Sequence, residues 1–135
     1  MSHTALVVDD NRESADGIVK MLSLLDFQAR SVYSPRSAIE TMTRALPHLL
    51  VLDVHMQGVD GGEVIRFIRR DPLLATVPIL AVSSDTQEAI VTAIMKAGAD
   101  AFLPKPVEFD DLEKTVEKIL TQLPANRPSP PAKRA

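Results

Sequence analysis

The chain has 135 residues, the length of one domain, and its 45% apolar and 24% charged residues are the balance of a globular protein rather than a disordered or fibrous one. The absence of cysteine excludes disulfides, thiolate metal sites and cysteine nucleophiles, and makes the cytoplasm the expected compartment; no apolar run approaches the roughly 20 residues needed to cross a bilayer. The net charge is −3, and Arg127, Lys133 and Arg134 lie in a stretch without acids, so residues 1–123 are more acidic still; with few aromatic residues besides, the body argues against direct contact with nucleic acid.

Short apolar runs alternate five times with amphipathic stretches. Ala5–Val8 predicts a first strand, and Ala15, Ile18, Leu22 and Leu25, at steps of three and four, a helix behind it. A second strand is expected over Ala29–Tyr33, with Ser34-Pro35 opening the next helix. Leu49–Leu52 predicts the third strand. Asp60-Gly61-Gly62-Glu63 has the spacing of a capping box, opening a helix whose face would be Val64, Phe67 and Ile68. Val77–Val82 predicts the fourth strand, followed by a helix burying Ile90, Ala93, Ile94 and Ala97 and stopping at Gly98. The fifth strand is Ala101–Leu103. The last helix starts among Glu108, Asp110 and Asp111, which favour a positive helix terminus, and is expected to bury Phe109, Leu112, Val116, Ile119 and Leu123.

The first, third and fourth runs are continuously apolar, as central strands of a parallel sheet covered on both faces must be. Right-handed crossovers then give an α/β fold, a three-layer doubly wound sandwich whose five parallel strands take the flavodoxin-like order 2-1-3-4-5. Residues 1–123 form the domain. Residues 124–135, rich in proline and basic, are expected to be a disordered tail or the start of a linker.

Ligands of such sheets bind beyond the carboxyl ends of the strands. There the sequence places Asp9-Asp10, Asp53, Ser83-Ser84 and, after the fifth strand, Lys105-Pro106. Taken singly, each is an ordinary turn residue or cap. Taken together at four strand ends, three acids need a cation, hard oxygen ligands suit Mg²⁺, and the ion with Lys105 could hold phosphoryl oxygens while a carboxylate attacks phosphorus.

Val7-Val8-Asp9-Asp10-Asn11, Leu52-Asp53-Val54-His55-Met56 with Asp60-Gly61, Ser83-Ser84, and Gly98-Ala99-Asp100 running into Phe102-Leu103-Pro104-Lys105-Pro106 give the sequence its resemblance to the receiver domain of two-component response regulators, over residues 4–122. The resemblance implies that Asp53 accepts a phosphoryl group from a phosphohistidine on a sensor histidine kinase or histidine phosphotransfer protein. It implies Mg²⁺ held by Asp9, Asp10, Asp53 and the His55 backbone carbonyl, with Ser83 and Lys105 receiving the phosphoryl oxygens. Phe102 matches the switch aromatic, without the hydroxyl of the commoner tyrosine, and would remodel the surface of the fourth helix, fifth strand and fifth helix for an effector or a phosphorylation-linked dimer. The Lys105-Pro106 bond is usually cis in this family. Gln57 departs from the proline usual there. His55 and Asp85 border the water path and are expected to touch across the site and tune dephosphorylation.

On this reading the chain is a signalling switch that promotes its own phosphorylation and dephosphorylation, not an enzyme acting on other substrates. The alternatives are a pseudo-receiver that binds without accepting phosphate, and a haloacid dehalogenase-like phosphatase. The second needs an aspartate where His55 stands. Winged-helix transcription factors of the family usually carry aspartate and arginine at the positions of Ala101 and Thr115, and both are absent here.

Overall fold

The computed structural model describes residues 3–121, in which strands and helices alternate: β1 (His3–Val8), α1 (Arg12–Leu24), β2 (Phe27–Val32), α2 (Pro35–Arg44), β3 (Leu49–Asp53), α3 (Gly61–Arg70), β4 (Ile79–Ser83), α4 (Glu88–Ala97), β5 (Ala101–Pro104) and α5 (Phe109–Thr121). All strand pairs are parallel and the order is β2-β1-β3-β4-β5, the predicted topology. Leu123 and the stretch 124–135 lie outside the described residues.

The period-two alternation of a strand divides the interior into two cores. Leu6, Val8, Leu50, Leu52, Ile79 and Ala81 pack with Ala38 and Met42 of α2, Ile65 and Ile68 of α3, and Ile94 and Ala97 of α4. Ala5, Val7, Leu49, Val51, Leu80 and Val82 pack with Ala15, Ile18 and Leu22 of α1 and Leu112, Val116 and Ile119 of α5. Burial on both faces explains why β1, β3 and β4 read as unbroken apolar runs. The edge strand β2 alternates instead, with exposed Gln28 and Arg30, and so begins at buried Phe27, two residues before the predicted start.

Helix starts follow local chemistry. Asn11 Oδ1 accepts from Ser14 N–H at 2.9 Å, Ser34 Oγ from Ser37 N–H at 3.2 Å with Pro35 in the first turn, and Asp60 Oδ1 from Glu63 N–H at 3.3 Å. Glu63 pairs with Arg66 Nε at 2.6 Å, so the box at α3 is capped from the Asp60 side.

Two predicted faces are corrected. In α3 the buried residues are Gly61, Gly62, Ile65 and Ile68, while Phe67 is 47% exposed. Gly61 brings the first turn against Val54 so closely that the helix backbone itself joins the core, turning Phe67 outward. In α4 only Ile94 and Ala97 are buried; Ile90 and Ala93 are exposed, because the helix meets the sheet through its C-terminal half. In α5, Leu112, Val116 and Ile119 are buried as expected and Phe109 is half-buried.

At the end of the sheet away from the strand carboxyl termini, Arg69 ties three segments together. Its Nε donates to Gly98 O at 2.9 Å, Nη1 to Ala75 O and Val77 O, and Nη2 to Asp100 Oδ2 at 3.0 Å. Asp100 Oδ2 also accepts from Ile79 N–H at 2.8 Å, fixing the start of β4.

Candidate functional site

Parallel register brings the strand ends together. Val8 pairs with Leu52, Asp53 with Val82, and Ser83 with Pro104, so Asp9, Asp53, Ser83 and Lys105 emerge along one rim. Asp9 and Asp53 are buried, Ser83 is fully buried, and Asp10 is exposed at the mouth. Ligand oxygens of Asp9, Asp10 and Asp53 lie within 4.8 Å of one another. Lys105 Nζ donates to Asp9 Oδ2 at 2.7 Å and to Asp53 Oδ2 at 3.2 Å.

Backbone amides complete the cradle. Asn11 N–H donates to Asp9 Oδ1 at 2.9 Å, His55 N–H to Asp53 Oδ1 at 2.9 Å, and Gln57 N–H to Asp10 Oδ2 at 3.3 Å. The loop residue in the usual proline position thus supplies a donor that proline lacks. The Lys105-Pro106 peptide is cis, as the family resemblance implies.

The two buried carboxylates differ in their response to this setting. Burial pushes the Asp9 carboxyl upward, but the Lys105 ammonium and the Asn11 amide outweigh it, and its pKa lies below the ordinary value. For Asp53 burial prevails over the His55 amide and Lys105, the charge on Asp9 adds to it, and the pKa is raised. Burial works against the Lys105 ammonium, yet its two carboxylate partners raise its pKa.

At an effective dielectric constant of about 20, like unit charges about 5 Å apart repel by about 3 kcal/mol. Three ionised carboxylates against one ammonium leave two negative charges, the complement of one divalent cation. The oxygen-only donor set is hard and one member faces solvent, so these residues fit Mg²⁺.

Ser83 Oγ accepts from Asp85 N–H at 3.0 Å, so the hydroxyl is held by the loop that leads into α4. Asp85 Oδ1 accepts from Gln87 N–H at 3.1 Å. No hydrogen bond joins Asp85 to His55 among the described residues, and His55 is exposed. Phe102, opposite Ala81, is half-buried against the α2–α4 core. A groove of about 510 Å³ between α1 and the loop after β5 opens beside the rim, lined by Ser14, Gly17, Met21, Ser84, Lys105 and Pro106 among others.

Sequence reasoning did not find the amide donors, since any residue but proline carries one, nor Arg12, whose guanidinium carbon stands 4.0 Å above the Tyr33 ring. An arginine opening α1 and a tyrosine just after β2 carry no joint signal until β1 and β2 are paired.

A family model described as the response regulator receiver domain matches residues 5–117. Among curated relatives, the transcriptional regulatory protein TctD of Salmonella typhimurium is 31% identical over 115 residues, covering 85% of this chain and 50% of its own length. The response regulator MprA of Mycobacterium ulcerans is 32% identical over 120 residues, covering 89% and 51%. The chain thus spans about half the length of these relatives. Among solved structures, one from Chloroflexus aurantiacus J-10-fl superposes with TM-score 0.85 at 31% identity, covering 90% of this chain and 100% of that one. The signal receiver domain of a DNA binding response regulator from Colwellia psychrerythraea 34H superposes with TM-score 0.82 at 27% identity, with 90% and 100% covered.

Proposed function

Given that this chain belongs to the response regulator receiver domain family, we propose that it is the phosphoacceptor of a two-component or phosphorelay system, and that Asp53 is the residue phosphorylated. The observation that carries the reading is the convergence of Asp9, Asp10 and Asp53 with Lys105, which holds Asp9 at 2.7 Å and Asp53 at 3.2 Å. A site of this kind has one carboxylate to modify, two more that share a cation with it, and an ammonium within reach of the product.

In the forward step an Asp53 carboxylate oxygen attacks phosphorus, and the P–N bond of a donor phosphohistidine breaks with its electron pair going to the imidazole, which takes a proton. The product is an acyl phosphate on Asp53. Water attack at the same phosphorus returns the carboxylate and releases inorganic phosphate. Asp9, Asp10, Asp53 and the His55 carbonyl would hold Mg²⁺, which would neutralise charge on the phosphoryl oxygens.

This chain's own residues do the rest. The His55 amide and Lys105 fix the Asp53 carboxylate, and burial excludes bulk water from it. Lys105, already within 3.2 Å of Asp53, can turn to a phosphoryl oxygen on that carboxylate. Ser83 Oγ, released from Asp85 N–H, can do the same, and the slack so created lets Phe102 and the α4–β5–α5 surface rearrange for an effector or a second copy. His55 and Asp85 flank the water path and tune dephosphorylation. The donor is a histidine kinase or phosphotransfer protein of the cytoplasm. Among the described residues no helix is long and apolar enough to cross a membrane.

Incubation with acetyl phosphate and Mg²⁺ followed by intact mass tests the reading. One added phosphoryl group, lost in Asp53→Asn and with EDTA, is expected. An unmodified protein would favour the pseudo-receiver, and steady phosphate release from varied monoesters the phosphatase.

A further inference from the structure

Arg12 stands in the first turn of α1, directly after the loop that carries Asp9, Asp10 and Asn11. That is the wrong end of a helix for a cation, since the exposed amides there already present positive charge. Among the described residues it forms no ion pair with the acids beside it. Its guanidinium instead lies 4.0 Å from the centroid of the Tyr33 ring.

Tyr33 is itself held. It follows β2 at the point where Val32 pairs with Val8 and Asp9 N–H donates to Val32 O at 3.2 Å, so the ring stands beside the Asp9 end of the rim. Ser31 Oγ donates to its hydroxyl at 3.2 Å, and the ring packs on the core beneath α1 and α5. The two cations thus lie on opposite sides of β1, whose end carries Asp9. Lys105, on the β5 side, is committed to two carboxylates; Arg12, on the β2 side, is exposed and committed to none.

Stacking on an aromatic ring uses the face of a guanidinium and leaves its edge donors free, and two parallel N–H groups on one edge match two oxygens of a phosphoryl group. A phosphodonor must carry a dianion towards three carboxylates, and Arg12 is the charge placed to meet it before Lys105 is freed. We propose that Arg12, held over the Tyr33 ring, is the first anchor for the phosphoryl group of the incoming donor. It governs how readily Asp53 is loaded, not how long the phosphoryl group remains. The inference rests on the reading of Asp53 as phosphoacceptor.

The test compares wild type, Arg12→Gln, Arg12→Lys and Tyr33→Leu at saturating Mg²⁺ with two small donors, acetyl phosphate and phosphoramidate. Arg12→Gln is expected to lower the second-order loading rate about five- to tenfold with both, with Arg12→Lys and Tyr33→Leu in between. The decline of wild-type loading with added salt should flatten in Arg12→Gln. Decay of the phosphorylated protein and the thermal midpoint should stay at wild-type values, which a merely structural role would not combine with slow loading. Wild-type loading by both donors in Arg12→Gln would overturn the proposal while leaving the Asp53 reading intact, as would slower loading only from a protein phosphohistidine. Failure of wild type itself to load at Asp53 would remove both.

Discussion

Lys105 and Asp9, 96 positions apart in sequence, form the shortest ion pair at the rim, Nζ to Oδ2 at 2.7 Å, with Asp9 buried. The pair accounts for the opposite behaviour of the two buried acids. Asp9 takes the closer contact with the ammonium and is stabilised as an anion; Asp53, with the longer contact and Asp9 as a neighbour, is ionised against its environment.

Neutral isosteres should therefore move stability in opposite directions. The raised pKa of Asp53 means that its contribution is present at low pH and lost as pH rises through the folded-state value, so at neutral pH its charge opposes folding. The lowered pKa of Asp9 makes a contribution present above the unfolded value and lost as pH falls through the folded one. In EDTA at pH 7, urea unfolding should show Asp53→Asn more stable than wild type by on the order of 1 kcal/mol and Asp9→Asn less stable by about 2 kcal/mol. Millimolar Mg²⁺ should raise wild type above Asp53→Asn by mass action. Two variants shifting the same way in EDTA would refute this division of charge.

Gly61 sets the distance between α3 and the segment after Asp53. A Cβ there would stand 2.6 Å from Val54 Cα and 2.8 Å from Val54 O, backbone atoms that cannot swing aside. Gly61→Ala should cost about 1–3 kcal/mol and slow phosphoryl loading at Asp53. Gly17, inside α1 with nothing within 4 Å of an added Cβ, should gain about 0.5–1 kcal/mol as alanine. Thermal unfolding of the two variants side by side is the check.

Arg69 and Gly98 should be energetically coupled. Gly98 has φ +127°, and a Cβ on it would meet Arg69 Cγ at 2.7 Å. Gly98→Ala should cost about 2 kcal/mol, part from the backbone and part from displacing the arginine. In an Arg69→Ala background the same change should cost about 1 kcal/mol less, measured by a double-mutant cycle. Strict additivity would mean that Arg69 yields freely.

His48 gives the fold a pH dependence remote from the rim. Its Nδ1 accepts from Thr4 N–H at 3.0 Å and so must be unprotonated, and burial together with the neighbouring His3 lowers its pKa. A depressed folded-state value contributes stability that is whole above the unfolded value of about 6.5 and is lost as pH falls through the folded one. Urea midpoints measured from pH 7.5 to 5 should decline less in His48→Gln than in wild type; parallel curves would exclude His48 as the cause.

Strand order and the positions of Asp9, Asp53, Ser83 and Lys105 were legible because burial on both faces leaves unbroken apolar runs, and the ends of those runs mark the rim. Ser34 and Asp60 were legible as caps because they act within three residues. The outward turn of Phe67 was not, because it depends on how closely Gly61 approaches Val54. Ile90 was misread because periodicity reports a face and not how much of it reaches the sheet. The amides of Asn11, His55 and Gln57 and the fan of Arg69 bonds leave no side-chain pattern to read.

The central claim is that one buried carboxylate carries the phosphoryl group, and chemical trapping locates it most directly. Protein treated with acetyl phosphate and Mg²⁺, then reduced with borohydride, should yield homoserine at position 53 in peptide mass spectra, because hydride reduces an acyl phosphate and spares a free carboxylate. Homoserine at position 9 or 10, or at none of the three, would contradict the account.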